Sequence, residues 1–176
     1  MPTLMTERSA ETLASALLPE LEQEAKMTRL CLERIPEAAF PWNPHPRAMT
    51  LGALAAFLAV LPGWVRTTIT QDSLDLEEAT TLPRHPKSRD EILGLFDRNL
   101  VDARAVLASA SDQTLLEPWT LLRGGKRILE QSRAVVLRFF VLNHLVHHRG
   151  QLTVYLRMHD IPVPALYGPS GDEGHW

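Results

Sequence analysis

The chain is poor in cysteine, glycine and tyrosine, has no dominant charge, and contains no run long enough to cross a bilayer. One cysteine, Cys31, stands among 176 residues, which excludes an internal disulfide and suits a reducing compartment. Flanked by Leu30 and Leu32, it reads as a packed thiol rather than a reactive one. The net charge is −3, and no Lys/Arg run is dense enough to neutralise a string of phosphates, so nucleic acid is excluded as a partner. No stretch reaches the roughly 18–20 uninterrupted apolar residues of a membrane span, and Met1 to Glu11 has no basic segment leading into an apolar one. The expectation is a soluble, cytoplasmic protein with no membrane partner.

Glycine is also outnumbered by proline, 9 to 13, and the prolines gather between apolar stretches. That distribution fits long helices joined by Pro-marked loops, and 176 residues fit one domain, 1–176, around one core. The first periodic segment runs from about Thr6 to Ile35, with Leu13, Leu17, Leu21, Ala25, Leu32 and Ile35 at three- and four-residue steps. Pro19 predicts a kink in it, or a main helix starting near it. Phe40-Pro41-Trp42-Asn43-Pro44-His45-Pro46 reads as an ordered loop. Thr50 is placed to cap a second helix through Leu51, Leu54, Leu58, Leu61 and Val65 to about Thr70, with Pro62 able to bend it. Residues 71 to 87, with Pro83 and Pro86, read as a long connection with little regular structure.

Ser88 and Glu91 have capping-box spacing ahead of Ile92, Leu95, Phe96, Leu100, Ala103 and Leu107, the clearest helix start in the chain. Trp119 to Leu129 carries short apolar arms around Gly124-Gly125, as a small hairpin or an irregular loop would. Ser132 is placed to cap the last helix, about Arg133 to His159, whose apolar residues cover most of its circumference. Such breadth predicts contact on more than one side and favours a dimer over a monomer. Gly150 within it predicts a close backbone approach, and Ile161 to Trp176 reads as coil. Four helical segments with one long crossover and at most one small hairpin make an all-α, up-down four-helix bundle.

Chemistry concentrates in Asn143-His144-Leu145-Val146-His147-His148-Arg149-Gly150-Gln151, which holds three of the seven histidines. His144 and His148 are four apart, so a helix projects both from one face, about 6 Å apart along its axis, where they can share one metal ion. His147 lies off that face and suits packing or hydrogen bonding. Such a pair also occurs on helices that hold no ligand, but Phe140 one turn before it, with Gln151 and then Tyr155 beyond, would wall a pocket in a bundle core. Other constellations are weaker. No Gly-x-Ser-x-Gly elbow is present, and Gly124-Gly125-Lys126 lacks the rest of a phosphate loop and reads as a turn. Trp42, Trp64 and Trp119 read as packing residues, and Arg149 and Arg157 as partners of carboxylates.

The string from Asn143 to Arg157, followed by Pro162-Val163-Pro164 and Tyr167-Gly168-Pro169-Ser170-Gly171-Asp172-Glu173, resembles the C-terminal half of DinB-like (damage-inducible) proteins. The resemblance continues upstream in Arg34-Ile35-Pro36, Pro41-Trp42, Pro44-His45, Met49-Thr50-Leu51-Gly52 and Leu61-Pro62-Gly63-Trp64, so it covers nearly the whole chain. It implies a stress-related four-helix bundle, a homodimer, and a divalent metal such as zinc or nickel held by three histidines. Two of these match His144 and His148; the position matching the second-helix ligand is Phe57, whose phenyl ring has no lone pair to give. The expectation is a non-catalytic member whose pocket, lined by Phe57, Phe140, Gln151 and Tyr155 and narrowed by Phe57, takes a small-molecule ligand or supports a dimer. The alternative is a metal-dependent thiol transferase or isomerase using His144 and His148, which needs a third ligand.

Overall fold

A computed structural model of the chain describes residues 12–78 and 85–174. Helix α1 (Leu13–Leu32) starts on Thr12, whose hydroxyl accepts from the Ser15 amide while the Ser15 hydroxyl accepts from the Thr12 amide. That reciprocal cap fixes the start at Leu13, so Pro19 lies inside the helix and does not begin it; the expected stretch Thr6 to Glu11 lies outside the described residues. A short 3-10 turn (Glu37–Ala39) leads into the proline loop at Phe40, which packs on α2 (Leu51–Val60), the Gly52 amide donating to the Phe40 carbonyl at 3.0 Å. A Cβ at Gly52 would meet Phe40 Cβ at 3.0 Å, so this close approach needs glycine.

Thr50 caps α2 as the sequence predicts, its hydroxyl accepting from the Ala53 amide. The expected second helix is broken at Leu61-Pro62, and α3 (Gly63–Thr70) leaves at 41°. Among the described residues no single helix is long and apolar enough to cross a bilayer; the bent α2–α3 pair passes that test by composition and buries most of α2 in the core.

The connection after α3 is more ordered than the sequence suggests. Strand β1 (Ser73–Asp75) pairs in parallel with β2 (Pro118–Arg123), which pairs antiparallel with β3 (Lys126–Ser132). Three residues with one apolar side chain are too short to announce a strand, because β1 forms only as the edge partner of the hairpin. The hairpin turns at Gly124 and Gly125, with φ of 56° and 73°, as a two-residue primed turn requires. Asp75 accepts from the Gly124, Gly125 and Glu77 amides, clamping the turn onto β1 and holding its own carboxyl below the ordinary range. Pro83, expected within this connection, lies outside the described residues.

Helix α4 (Arg89–Ala108) starts on Ser88, whose hydroxyl accepts from the Glu91 amide; the Glu91 carboxylate reaches back to the Lys87 amide, one residue further than a capping box. A five-residue helix α5 (Asp112–Leu116) precedes the hairpin, capped by Ser111. The last helix is compound: α6 (Arg133–Val136), a π-helical segment (Leu137–Asn143) and α7 (His144–Met158). Ser132, expected to cap this helix, makes no side-chain cap hydrogen bond there: it is the last residue of β3, paired with Pro118.

Helices α1, α2–α3, α4 and the compound last helix form the bundle, with α4 against α1, α2 and α3, and α7 against α1 and α2. One core joins them through residues such as Leu21, Leu32, Leu58, Phe96, Leu107, Leu145 and Leu152. A smaller cluster of Trp119, Leu121 and Val136 fixes the sheet to α6. The protein is mostly helical, with the sheet a minor addition, as the sequence-based class required. Cys31 is fully buried, and burial pushes its thiol up to about 11. Gly150 corrects the sequence reading: it is exposed, and a Cβ there would meet nothing within 4 Å.

Candidate histidine pocket

The π segment ends where the histidines begin. Widening the helical repeat by one residue over Leu137–Asn143 turns Phe139 outward, 59% exposed, and leaves Phe140 facing the bundle one turn before His144. α7 then carries His144 and His148 on one face, their ring centroids 4.6 Å apart. His148 is buried, His144 half-buried and His147 exposed, although the His147 ring lies 4.8 Å from that of His148.

Phe57 of α2 stands against both rings, its centroid 5.1 Å from His144 and 4.9 Å from His148, edge to face in each case. Trp64 of α3 lies 6.2 Å from His144 and stacks on Phe140 at 6.0 Å. Two imidazoles thus share a wall of three aromatic side chains, an arrangement of low polarity that holds them by quadrupole and dispersion contacts. The consequence is electrostatic. Burial, then the neighbouring His148, lowers His144 to about 4, with the Phe140 carbonyl opposing and His147 adding to the shift. Burial also lowers His148, against the pull of Gln151 and with a push from His147. Both rings are therefore neutral at pH 7 and present lone pairs.

Gln151, exposed, places Oε1 at 2.7 Å from His148 Nδ1. Tyr155, expected to line the same pocket, is placed with a different group: it packs edge-on to Trp42 at 5.3 Å, and its hydroxyl donates to the Met49 carbonyl at 3.3 Å. Trp42 also meets His159 at 4.5 Å. Trp64 completes a wall that sequence spacing assigned to Phe140, Gln151 and Tyr155, and it became visible only once the break at Pro62 turned α3 toward the last helix.

A divalent ion held as the resemblance implies needs three donors. The residues here do not fit it: Phe57 takes the third position, and among the described residues no group of three His, Cys, Asp or Glu side chains could hold a metal. Among those residues no carboxylate repairs the loss.

About 100° round α7 from His148, Arg149 is 1% exposed and pairs with Glu24 of α1 at 2.6 Å. Its guanidinium also donates to the Glu24 carbonyl at 3.0 Å, the Thr28 hydroxyl at 3.4 Å and the Tyr167 hydroxyl. Tyr167 donates in turn to Glu24 Oε2 at 2.7 Å. Arg157 pairs with Asp172, whose carboxyl falls to about 2 chiefly because Arg157 and the Val163 amide bond it. The reading of both arginines as partners of carboxylates holds. The sequence did show Glu24 interrupting the apolar stripe of α1, a signal for a buried charge facing another helix.

Comparison with known proteins agrees with this architecture. A crystal structure of a DinB-like protein from Bacillus cereus ATCC 10987 superposes with a TM-score of 0.69 over 90% of this chain and 100% of that one, at 21% identity, which speaks for the fold. The uncharacterized protein YrdA of Bacillus subtilis (strain 168) is 46% identical over 77 residues, a match that spans 42% of this chain and 46% of YrdA. The model of the DinB family matches residues 5–174, and with that coverage the chain belongs to the DinB family.

Proposed function

We propose that this chain is a DinB protein without a three-histidine metal centre, whose histidine pair serves as a closed, aromatic-walled binding or structural site. The observation that carries this reading is Phe57, edge-on to both imidazoles at 5.1 and 4.9 Å, where a third ligand would have to stand. Two neutral imidazoles behind a phenyl ring suit a small molecule that displaces or stacks on Phe57 better than a tightly held ion. The alternative, a metal-dependent thiol transferase or isomerase, has its two histidines here and no third donor among the described residues.

The same proposal takes the chain as one domain, cytoplasmic, stress-related and homodimeric. Val135 and Phe139, 48% and 59% exposed beside Leu13 and Ala16, are apolar surface a second copy would cover. Mass measured in solution by light scattering tests that part.

The decisive measurement for the site is bound zinc, nickel, iron and manganese per chain after purification without chelator and after supplying each ion. The expected wild-type result is far below one ion per chain. Phe57→His should gain zinc or nickel, and His144→Ala/His148→Ala in that background should lose it again. Near-stoichiometric metal in the wild type that disappears with the two histidines would overturn the proposal and restore the enzyme reading.

A further inference from the structure

Gln151 lies one turn beyond His148 and faces it with oxygen. An amide oxygen accepts and never donates, so the 2.7 Å contact between Gln151 Oε1 and His148 Nδ1 is a hydrogen bond in the tautomer that carries its proton on Nδ1. We propose that Gln151 is a positioning residue that holds His148 as the Nδ1-protonated tautomer, leaves its lone pair on Nε2, and thereby selects hydrogen-bond donors over anions as the site's ligands. The inference rests on the reading of the pair as a binding site.

The surroundings point the same way. Phe57 and His144 present ring contacts to His148, and His147 offers only a neighbouring imidazole, so among its described neighbours Gln151 supplies the hydrogen bond. Among the described residues no carboxylate joins the histidines in a cluster, so the ring is oriented by a neutral acceptor and is not drawn into its charged form, as a carboxylate partner would draw it. Two neutral rings each keep one acceptor lone pair, and Phe57 lies against both. A hydroxyl, amide or amine group would be bound; a carboxylate or phosphate would meet lone pairs and a phenyl ring.

Gln151 is exposed, so changing it leaves the core untouched. The full chain, labelled with ¹⁵N-histidine and held at pH 7.5 (about one unit above an ordinary histidine pKa), reports the tautomer by long-range ¹H–¹⁵N correlation, with His148→Asn assigning the signals. The expected wild-type pattern is a protonated Nδ1 and an unprotonated Nε2. Gln151→Met, similar in size but lacking the acceptor, should lose that dominance, whereas Gln151→Glu should keep it and raise the pH at which the ring titrates. A merely structural role for Gln151 would leave the ring shifts unmoved. An Nε2-protonated ring in the wild type, an unchanged tautomer in Gln151→Met, or a reversed one in Gln151→Glu would overturn the proposal. Metal content measured on the same wild-type sample separates this result from the closed-pocket reading, because the tautomer is read without any ion.

Discussion

His148 and Arg149 are consecutive residues of α7, both buried, and they meet opposite surroundings. Around Arg149, a carboxylate, a carbonyl and two hydroxyls answer the guanidinium, and Glu24 gains a second donor from Tyr167. Around His148 stand aromatic rings and one amide oxygen, with no ion pair among the described residues. A buried charge met by a carboxylate, a carbonyl and two hydroxyls ties helices together and has little left to offer a ligand. A buried imidazole that keeps a lone pair unspent is chemically open, even where a phenyl ring narrows the way to it. The same helix therefore carries a fastening on one face and a site on the other.

The largest test of this contrast breaks the fastening. Arg149→Ala leaves Glu24 buried without its cation, and such losses cost about 3–5 kcal/mol. Urea unfolding followed by circular dichroism should show a destabilisation of that size. Removing both charges together, in Arg149→Met/Glu24→Leu, should recover much of it, since the uncompensated carboxylate and not the missing attraction is what hurts. A loss below about 1 kcal/mol for Arg149→Ala, the range of exposed pairs, would mean the cluster is solvated and the contrast with His148 is one of sequence only.

The histidine face predicts a pH dependence of definite sign. His144 falls from an ordinary 6.5 to about 4 in the folded protein, with burial the main cause, and His148 is lowered too. The unfolded chain then binds more protons than the folded one between those values, so stability is present above about pH 6.5 and is lost as pH falls toward 4. The full shift of His144 corresponds to about 3 kcal/mol; because the ring is only half-buried, solvent screening reduces this to about 1–2 kcal/mol. The slope of unfolding free energy between pH 6.5 and about 4.5 should be steeper for the wild type than for His144→Gln/His148→Gln, a comparison that cancels the carboxylates common to both. Identical slopes would show that water reaches both rings freely.

The two faces were not equally legible in the sequence. Spacing alone put His144, His148 and Phe140 on one side of a helix, and the resemblance supplied Phe57; the structure then brought Phe57 against both rings. Tyr155 follows the same stripe by spacing but packs on Trp42, because a straight helix carries a residue two turns onward past the end of the pocket. Thr50 and Ser88 were readable as caps because capping depends on local hydrogen bonds. Strand β1 was not, since its order comes from β2, which lies far along the chain. The Arg149–Glu24 pair spans 125 positions, and no local pattern could join them. The π segment escaped for a related reason: periodicity read in steps of three and four does not register a single widened turn.

Gly150 supplies the smallest test and the one that separates the faces of α7 from its back. The sequence suggested that a glycine between Arg149 and Gln151 made room for another backbone, but it points to solvent, and a methyl group placed there would have nothing within 4 Å. Nothing in the packing then requires it, and its helical backbone suits alanine. Gly150→Ala should stabilise the protein by about 0.5–1 kcal/mol through helix propensity and reduced freedom of the unfolded chain. It should do so without moving the His148 ring shifts or the pH slope, because the added methyl touches neither the pair nor the guanidinium. A destabilisation would show that a surface contacts this strip of α7 in solution, which would place a partner there, on the exposed back between the two buried faces.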